Sequence, residues 1–298
     1  GLLASSPAPA AAAREPTIQL PHGKIGELDF SRLIIGGNLI AGFAHSRDLL
    51  YVNEIFKNYF TDEKVIETLQ LCEEMGVDSA ILRTDDHTLR ILDRYWNQYG
   101  GKIKWIAQTY PREGDLSNVQ KAIDNGAQAV FMHGGIADQF VKTGKVDYVG
   151  EVVEFIQQND VPAGVGGHSL AVPKAVEEAG IHNDFYMKTL HSPEYWSFNP
   201  DDQEYDKFHV GSAEANDNVW CVDPDEVISF MHQVEKPWIA YKVLAAGAIK
   251  PADGFKYAFE NGADFICAGM FDFHVRVDAI LTKNILNADL QRNRPWYS

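Results

Sequence analysis

The sequence has too few cysteines for a disulfide-stabilised fold. Only Cys72, Cys221 and Cys267 occur in 298 residues, and they are far apart along the chain. A disulfide framework needs several cysteine pairs, and a zinc ribbon or thioredoxin-type site needs a C-x-x-C spacing. Neither pattern is present, so these classes of protein are excluded.

Positive charge and long apolar runs are also scarce. Lys and Arg number 26 against 42 Asp and Glu, which leaves a net charge of −16 and a pI near 5.0. An acidic chain argues against nucleic acid or an anionic membrane as the main partner. No apolar run approaches the roughly 18 to 20 residues that span a bilayer. We therefore expect a small-molecule ligand, and the sequence leaves open whether the chain forms a homo-oligomer.

The first residues differ in composition from the rest. Residues 1–13 (GLLASSPAPAAAA) are small and uncharged and contain several A-x-A sequences. This composition is typical of the end of an export signal or of a flexible leader. We assign residues 1–16 to a leader and residues 17–298 to a single domain. An export signal would place the protein in the periplasm or outside the cell, and a plain leader would leave it in the cytoplasm.

From residue 32 onward, strand-like and helix-like segments alternate eight times. Buried apolar strands that alternate with helices indicate a parallel sheet covered on both faces. We predict an α/β fold of the (βα)8 TIM barrel type, with an open doubly wound sheet as the alternative. Asp223 is the predicted N-cap of the sixth helix. The predicted strands cover residues 32–40, 77–83, 102–110, 128–133, 161–166, 185–190, 238–244 and 265–269, and the predicted helices cover residues 62–75, 87–99, 116–125, 146–159, 172–179, 224–234, 252–260 and 275–285.

Two connections are too long to be simple turns. They follow the first and sixth predicted strands and cover residues 39–61 and 191–223. Both lie on the carboxyl side of the strands, where the active sites of TIM barrels are found. Long loops in compact domains are usually functional. We predict that they form the walls or lid of a pocket, with aromatic side chains from Phe43, Tyr51, Tyr195, Trp196, Phe198 and Tyr205.

Polar residues occur where the predicted strands end. A barrel interior is normally filled by branched apolar side chains, so polar groups at this edge need a reason. They predict a pocket for an anionic or polyhydroxylated small molecule. The candidate substrate-binding residues are Asn38, Arg83, Asp85, Gln108, Gly247 and Asp272, and the candidate catalytic residues are His133, His168, Lys188, His191 and Lys242.

The first chemistry that these residues suggest is Schiff-base catalysis. Lys188 and Lys242 lie in the sixth and seventh predicted strands and are expected to face each other across the barrel interior. A desolvated lysine beside a second cation has a lowered pKa and becomes a nucleophile toward carbonyl carbon. This hypothesis gives a lyase or isomerase acting on a sugar-like carbonyl compound, without a required cofactor. The three histidines would move protons.

Two short segments resemble a known family. FYMKTLHS (residues 185–192) and YKVLAAGAIKPADGFKYAFENGADF (residues 241–265) resemble strands six and seven of the deoxyribose-phosphate aldolase family, an aldolase-type TIM barrel. The resemblance implies that Lys188 forms the Schiff base, that Lys242 lowers its pKa, and that residues 247–249 belong to a phosphate-binding turn. The chain departs from the family pattern at His191 and Ser192, and at Gln108, where the family carries an acidic proton relay.

Two alternatives use the same pocket differently. His133, His168 and His191 end three successive strands, and neighbouring strands lie about 5 Å apart. Three imidazoles at that spacing suit zinc, iron or manganese, with Asp272 or Glu194 as a fourth ligand, in a metal-dependent hydrolase or isomerase. In the other alternative the barrel binds a solute without turnover.

Overall fold

The structure is a computed structural model that describes residues 16–43, 45, 49–199 and 219–298. The predicted leader up to residue 15 and part of each predicted lid loop, including Tyr205, lie outside the described residues. The strands are β1 His22–Ile25, β2 Leu28–Ser31, β3 Leu33–Gly36, β4 Ser79–Arg83, β5 Lys104–Thr109, β6 Ala129–Met132, β7 Ala163–Gly167, β8 Phe185–Thr189, β9 Trp238–Tyr241 and β10 Phe265–Ala268. The helices are α1 Leu50–Tyr59, α2 Asp62–Glu74, α3 Asp86–Asn97, α4 Ser117–Asp124, α5 Gly134–Lys142, α6 Val146–Gln157, α7 Ala171–Glu178, α8 Pro224–Met231, α9 Pro251–Glu260 and α10 Asp272–Asn287, with a short 3-10 helix at Ala245–Gly247.

Eight parallel strands close into a barrel. The order around the barrel is β10, β3, β4, β5, β6, β7, β8 and β9, so that the last strand pairs with the first. The predicted (βα)8 TIM barrel is thus confirmed, and the open doubly wound sheet is excluded. The predicted N-cap is also present, since the Asp223 carboxylate accepts a hydrogen bond from the Glu226 backbone N–H at the start of α8.

Side-chain alternation divides the strands between two cores. The inner core contains apolar side chains from alternating strand positions, among them Ile34, Ile81, Ile106 and Ile239. The intervening residues pack outward against the helices in a larger core. Because successive strand residues point to opposite faces, this division also fixes which polar residues enter the barrel mouth.

A hairpin that the sequence analysis did not predict closes the amino end of the barrel. Strands β1 and β2 pair antiparallel, and their Ile25 and Phe30 side chains are fully buried in the inner core. Asp78, just before β4, accepts a hydrogen bond from the Ser31 backbone N–H at 2.8 Å. The amino end is therefore plugged, which leaves the carboxyl end as the side from which a ligand reaches the interior.

Two further helices were missed in the sequence. The first predicted lid loop contains α1, and the connection after β6 contains α5 before the predicted α6. Helix α5 starts with Gly134 and Gly135, which are typical of a turn, and this start concealed the helix. No helix among the described residues is both long and apolar enough to cross a membrane.

Candidate active site at the carboxyl end of the barrel

The inner-core pattern places polar side chains in the mouth of the barrel. Each of these residues lies two positions after an inward residue of its strand, as Arg83 follows Ile81 and His133 follows Phe131. The alternation of strand side chains therefore turns them toward the barrel axis. The six residues in this layer are Arg83, Gln108, His133, His168, Thr189 and Tyr241.

His168, directly after β7, is held by a carboxylate from α5. Its Nδ1 lies 2.8 Å from Asp138 Oδ2, and the same carboxylate accepts hydrogen bonds from the backbone N–H groups of His168 and Ser169. Burial lowers the pKa of the imidazole, while Asp138 acts against this shift. The neutral ring therefore donates its Nδ1 proton to Asp138 and keeps Nε2 as the proton acceptor.

His133 is the second imidazole in the mouth. Its ring stacks on Tyr110 with centroids 5.0 Å apart and lies 6.0 Å from the His168 ring. Burial lowers its pKa well below the usual value, and His168, Lys242 and Arg83 add to the shift. Its Nδ1 is buried without a hydrogen-bond partner in the described part of the chain.

Tyr241, at the end of β9, contributes a second unpaired buried atom. Its hydroxyl has no hydrogen-bond partner among the described residues, and burial raises its pKa well above the usual value. The hydroxyl lies against the start of α5, because a Cβ added to Gly134 would be 2.6 Å from it. The Tyr241 ring is 5.5 Å from the His168 ring. Tyr241 therefore keeps its proton, and its hydroxyl lies close to the start of α5 and to the His168 ring.

Lys242 enters the mouth through an unusual backbone conformation. Its φ is 58°, in the left-handed region that residues other than glycine rarely adopt. Its ammonium lies 3.6 Å from the centroid of the Trp220 ring and 2.8 Å from His45 Nε2. An ammonium over an indole face is stabilised in its charged form. Backbone strain of this kind is concentrated at functional sites.

Arg83, at the end of β4, supplies the second cation. Its guanidinium lies over the rings of Phe43 and Tyr110, at 4.8 and 4.9 Å from their centroids. Its Nε donates to Asp85 at 3.3 Å, and Asp85 also caps α3 by accepting from the Thr88 backbone N–H. The mouth thus combines two cations with two neutral imidazoles, and this arrangement favours an anionic or oxygen-rich ligand.

Lys188 does not face Lys242 across the barrel, and this expectation was wrong. Phe185 and Met187 point inward and Tyr186 points outward, so Lys188 lies on the outward face of β8. Its ammonium is buried and donates to the hydroxyl and the carbonyl oxygen of Thr189. Burial is the main cause of its lowered pKa, and Lys242 is not among the causes.

His191 is occupied by the backbone. Its Nε2 accepts hydrogen bonds from the N–H groups of Trp220 and Cys221, and its Nδ1 donates to the Ser192 carbonyl oxygen at 3.0 Å. Burial lowers its pKa to about 4. This neutral imidazole holds Trp220 in place under Lys242. The predicted convergence of three imidazoles is therefore not formed, and in the described part of the chain no three His, Cys, Asp or Glu side chains are arranged to hold a metal ion.

The other residues predicted to bind substrate or metal lie in the mouth, at its rim or away from it. Gln108 points into the mouth and donates to the Tyr110 hydroxyl, and Asn38 Nδ2 lies 3.0 Å from His45 Nε2 at the exposed rim. Gly247 lies in an exposed turn with φ of 93°. Asp272 instead binds Tyr59 and Lys64, which belong to the end of α1 and the start of α2, and Glu194 is exposed.

Sequence reasoning missed four residues of the site. Tyr110 and Tyr241 lie within predicted strands, and alternation from the inward residues Ile106 and Ile239 places both of them on the inward face. Asp138 was missed because α5 itself was missed. Trp220 has no polar signal in the sequence, and only the fold shows that its ring lies beneath Lys242. A groove of about 540 Å³ lies elsewhere, on the outside between α3 and the residues after α4, and contains none of these side chains.

No family model matches this sequence, and no curated protein matches it either. Similar solved structures exist. One is a proposed aldo-keto reductase from Pseudomonas aeruginosa, with a TM-score of 0.61 and 13% identity over 89% of this chain and 95% of that one. Another is the ligand-free Gox0644 protein, with a TM-score of 0.55 and 8% identity over 94% of this chain and 98% of that one. At these identities the likeness extends to the barrel fold alone.

Proposed function

We propose that this protein is an enzyme that transfers protons in a lyase or isomerase reaction of a small, polar, sugar-like carbonyl compound. The observation that carries the proposal is the Asp138–His168 pair beside two buried polar atoms, Tyr241 Oη and His133 Nδ1, that have no hydrogen-bond partner among the described residues. Buried polar atoms in proteins are almost always hydrogen-bonded, so their natural partner is a ligand. A carboxylate that orients a histidine is a common arrangement for a general base.

The chemistry follows from the state of each group. His168 Nε2 takes a proton from the carbon next to the substrate carbonyl, and the electron pair left behind moves to the carbonyl oxygen. The Tyr241 hydroxyl donates a hydrogen bond to that oxygen as its negative charge develops, and Lys242 adds a positive charge nearby. An isomerase returns the proton to a neighbouring carbon, whereas a lyase expels a leaving group from the next carbon.

Hydrogen exchange tests this proposal without knowledge of the natural substrate. The protein is incubated in D₂O with a panel of small hydroxy-carbonyl compounds, and loss of the proton next to the carbonyl is followed by NMR. We expect exchange in the wild type and a loss of about 10²- to 10⁴-fold in His168→Asn and Tyr241→Phe. His87→Asn is the matched control, because His87 also faces a carboxylate, that of Asp62, but lies outside the barrel. Equal exchange in His168→Asn and the wild type would contradict the proposal.

The Schiff-base hypothesis predicts a different result. Borohydride reduction with a carbonyl substrate would then add the mass of the reduced substrate to Lys188. Because Lys188 lies on the outer face of β8, we expect no adduct there. An adduct on Lys188 would restore the covalent mechanism and the resemblance to the aldolase family.

The other two hypotheses keep their own tests. A metal-dependent enzyme would contain stoichiometric zinc, iron or manganese that is lost in His133→Ala, as measured by elemental analysis. A solute-binding barrel would retain a ligand tightly without turnover, and substitution of Lys188 and Lys242 by alanine would change only its affinity.

A further inference from the structure

The mouth of the barrel contains an arginine, Arg83, whose terminal N–H groups have no acceptor among the described residues. In the part of the chain that the structure describes, Arg83 makes one polar side-chain contact, from Nε to Asp85. Within the described part of the chain, its two terminal nitrogens donate to no acceptor. The side chain is 29% exposed, so the guanidinium lies at the opening of the pocket and is not enclosed by it.

The position of this guanidinium is nevertheless well defined. Phe43 and Tyr110 both present ring faces to it, and Asp85 holds its Nε side. Asp85 is itself fixed as the N-cap of α3. Rings and carboxylate together restrain the plane of the guanidinium, which lowers the entropy cost of binding a planar partner.

A second, independent observation lies directly beside Arg83. The Tyr110 ring that contacts Arg83 also stacks on His133, whose buried Nδ1 has no hydrogen-bond partner in the described ranges. Arg83 and Lys242 both lower the pKa of His133, and no carboxylate is among the causes acting on it. The region between Arg83 and His133 therefore combines a cation with a buried polar atom that has no partner among the described residues.

We infer that Arg83 binds a carboxylate group of the substrate. The terminal nitrogens of a guanidinium match the two oxygens of a carboxylate in a planar, two-bond arrangement. This inference rests on the proposed function and narrows its substrate class to an oxo acid. The carboxylate binds at Arg83, while the carbonyl group lies farther in, between Tyr241 and His168.

Binding of simple probes tests the inference apart from catalysis. Pyruvate is compared with pyruvamide, which has the same shape without the charge, and with inorganic phosphate, by calorimetry. We expect pyruvate to bind at least about tenfold more tightly than pyruvamide, and Arg83→Gln to weaken pyruvate binding about 10- to 100-fold. Arg83→Lys should recover only part of the affinity, because lysine keeps the positive charge but lacks the two parallel N–H donors of a guanidinium. Arg276→Gln is the control, since Arg276 is an exposed arginine with a single carboxylate contact.

The pKa of His133 provides a second measurement, which would not respond to pyruvate if Arg83 had only a structural role. A carboxylate bound next to His133 raises the pKa of that imidazole. Addition of pyruvate should therefore raise the His133 pKa measured by NMR in the wild type and leave it unchanged in Arg83→Gln. Equal affinity for pyruvate and pyruvamide would overturn the inference. Tighter binding of phosphate that also depends on Arg83 would overturn the carboxylate assignment.

The two proposals fail separately. Arg83-dependent pyruvate binding that persists in His168→Asn, together with no proton exchange in the wild type, would contradict the proposed function and leave the carboxylate site standing. Proton exchange in the wild type, together with equal affinity for pyruvate and pyruvamide, would contradict the carboxylate site and leave the proposed function standing.

Discussion

At the scale of single residues, the candidate site depends on the Asp138 carboxylate, because it fixes which nitrogen of the His168 ring carries the proton. Asp138 accepts three hydrogen bonds from His168 and Ser169, two of them from backbone N–H groups. An asparagine would retain much of the shape but could present its amide N–H₂ to His168 Nδ1. The ring would then carry its proton on Nε2 and could no longer act as the base that we propose.

We therefore predict that Asp138→Asn lowers the exchange rate by about 10²- to 10⁴-fold without unfolding the protein. Since Asp138 raises the pKa of His168, its loss should also move the acid limb of the pH–rate profile to lower pH. Rates are measured by the D₂O assay and the tautomer by nitrogen NMR of His168. A normal rate with a shifted tautomer would show that His168 is not the base.

A second residue-scale prediction concerns Asp278 on α10. It is only 4% exposed, and burial raises the pKa of its carboxyl to about 6, against about 3.9 in an unfolded chain. Because the folded pKa is the higher one, the charged carboxylate destabilises the fold above about pH 6, and this penalty disappears below about pH 4.

Asp278→Asn should thus become more stable relative to the wild type as the pH rises from 4 to 7.5, by about 1 to 3 kcal/mol. Urea unfolding at both pH values measures the difference. Asp289→Asn removes the same formal charge from an exposed position and serves as the control. A difference that does not change with pH would rule out an ionisation penalty at Asp278.

At the scale of elements, the start of α5 is built around the Tyr241 hydroxyl. Gly134 begins this helix, and a Cβ there would come within 2.6 Å of Tyr241 Oη and 3.0 Å of His168 Cε1. A glycine at this position allows the strand and the helix to approach closely enough to place Tyr241 beside His168.

We predict that Gly134→Ala destabilises the protein by about 1 to 3 kcal/mol, because the new methyl group collides with the hydroxyl. The same substitution in a Tyr241→Phe background should cost clearly less, since the colliding atom is gone. A double-mutant cycle of urea unfolding measures this coupling. Equal costs in both backgrounds would show that the Tyr241 hydroxyl does not restrict position 134.

At the scale of the whole molecule, the end of the chain holds the amino side of the barrel together. Arg294 is 2% exposed and pairs with the fully buried Asp264 at 2.6 Å. It also donates to carbonyl oxygens at the ends of α8 and α9, including those of Met231 and Gly262. Arg292 binds the other oxygen of Asp264 at 3.2 Å. These contacts join the last residues of the chain to two helices and to the start of β10.

Arg294→Ala should lower the free energy of unfolding by about 3 to 5 kcal/mol, because it removes one partner of a buried ion pair and leaves several buried carbonyl groups unpaired. Arg276→Ala, which removes an exposed ion pair with Glu74, should change it by at most about 1 kcal/mol. Denaturant unfolding of both variants measures the contrast. Similar values for the two would contradict the structural role of Arg294.

The sequence by itself determined the barrel and the polar character of the side chains at the carboxyl ends of its strands. Strand and helix periods are local properties, so eight repeats could be counted, and the polar residues that end the strands could be read directly. Arg83, Gln108, His133 and His168 were identified in this way and do enter the mouth.

Only the tertiary structure decided which of the polar residues share one space. Lys188 and His191 were expected in the pocket, but side-chain direction places the lysine outside the barrel, and two backbone N–H groups occupy the histidine. Three other residues of the candidate site come from separate elements. Asp138 lies in α5, which was not predicted, Trp220 lies in the loop before α8, and Tyr241 ends β9. Such contacts join residues far apart in the chain, and they follow from how the helices pack on the barrel and not from any local pattern.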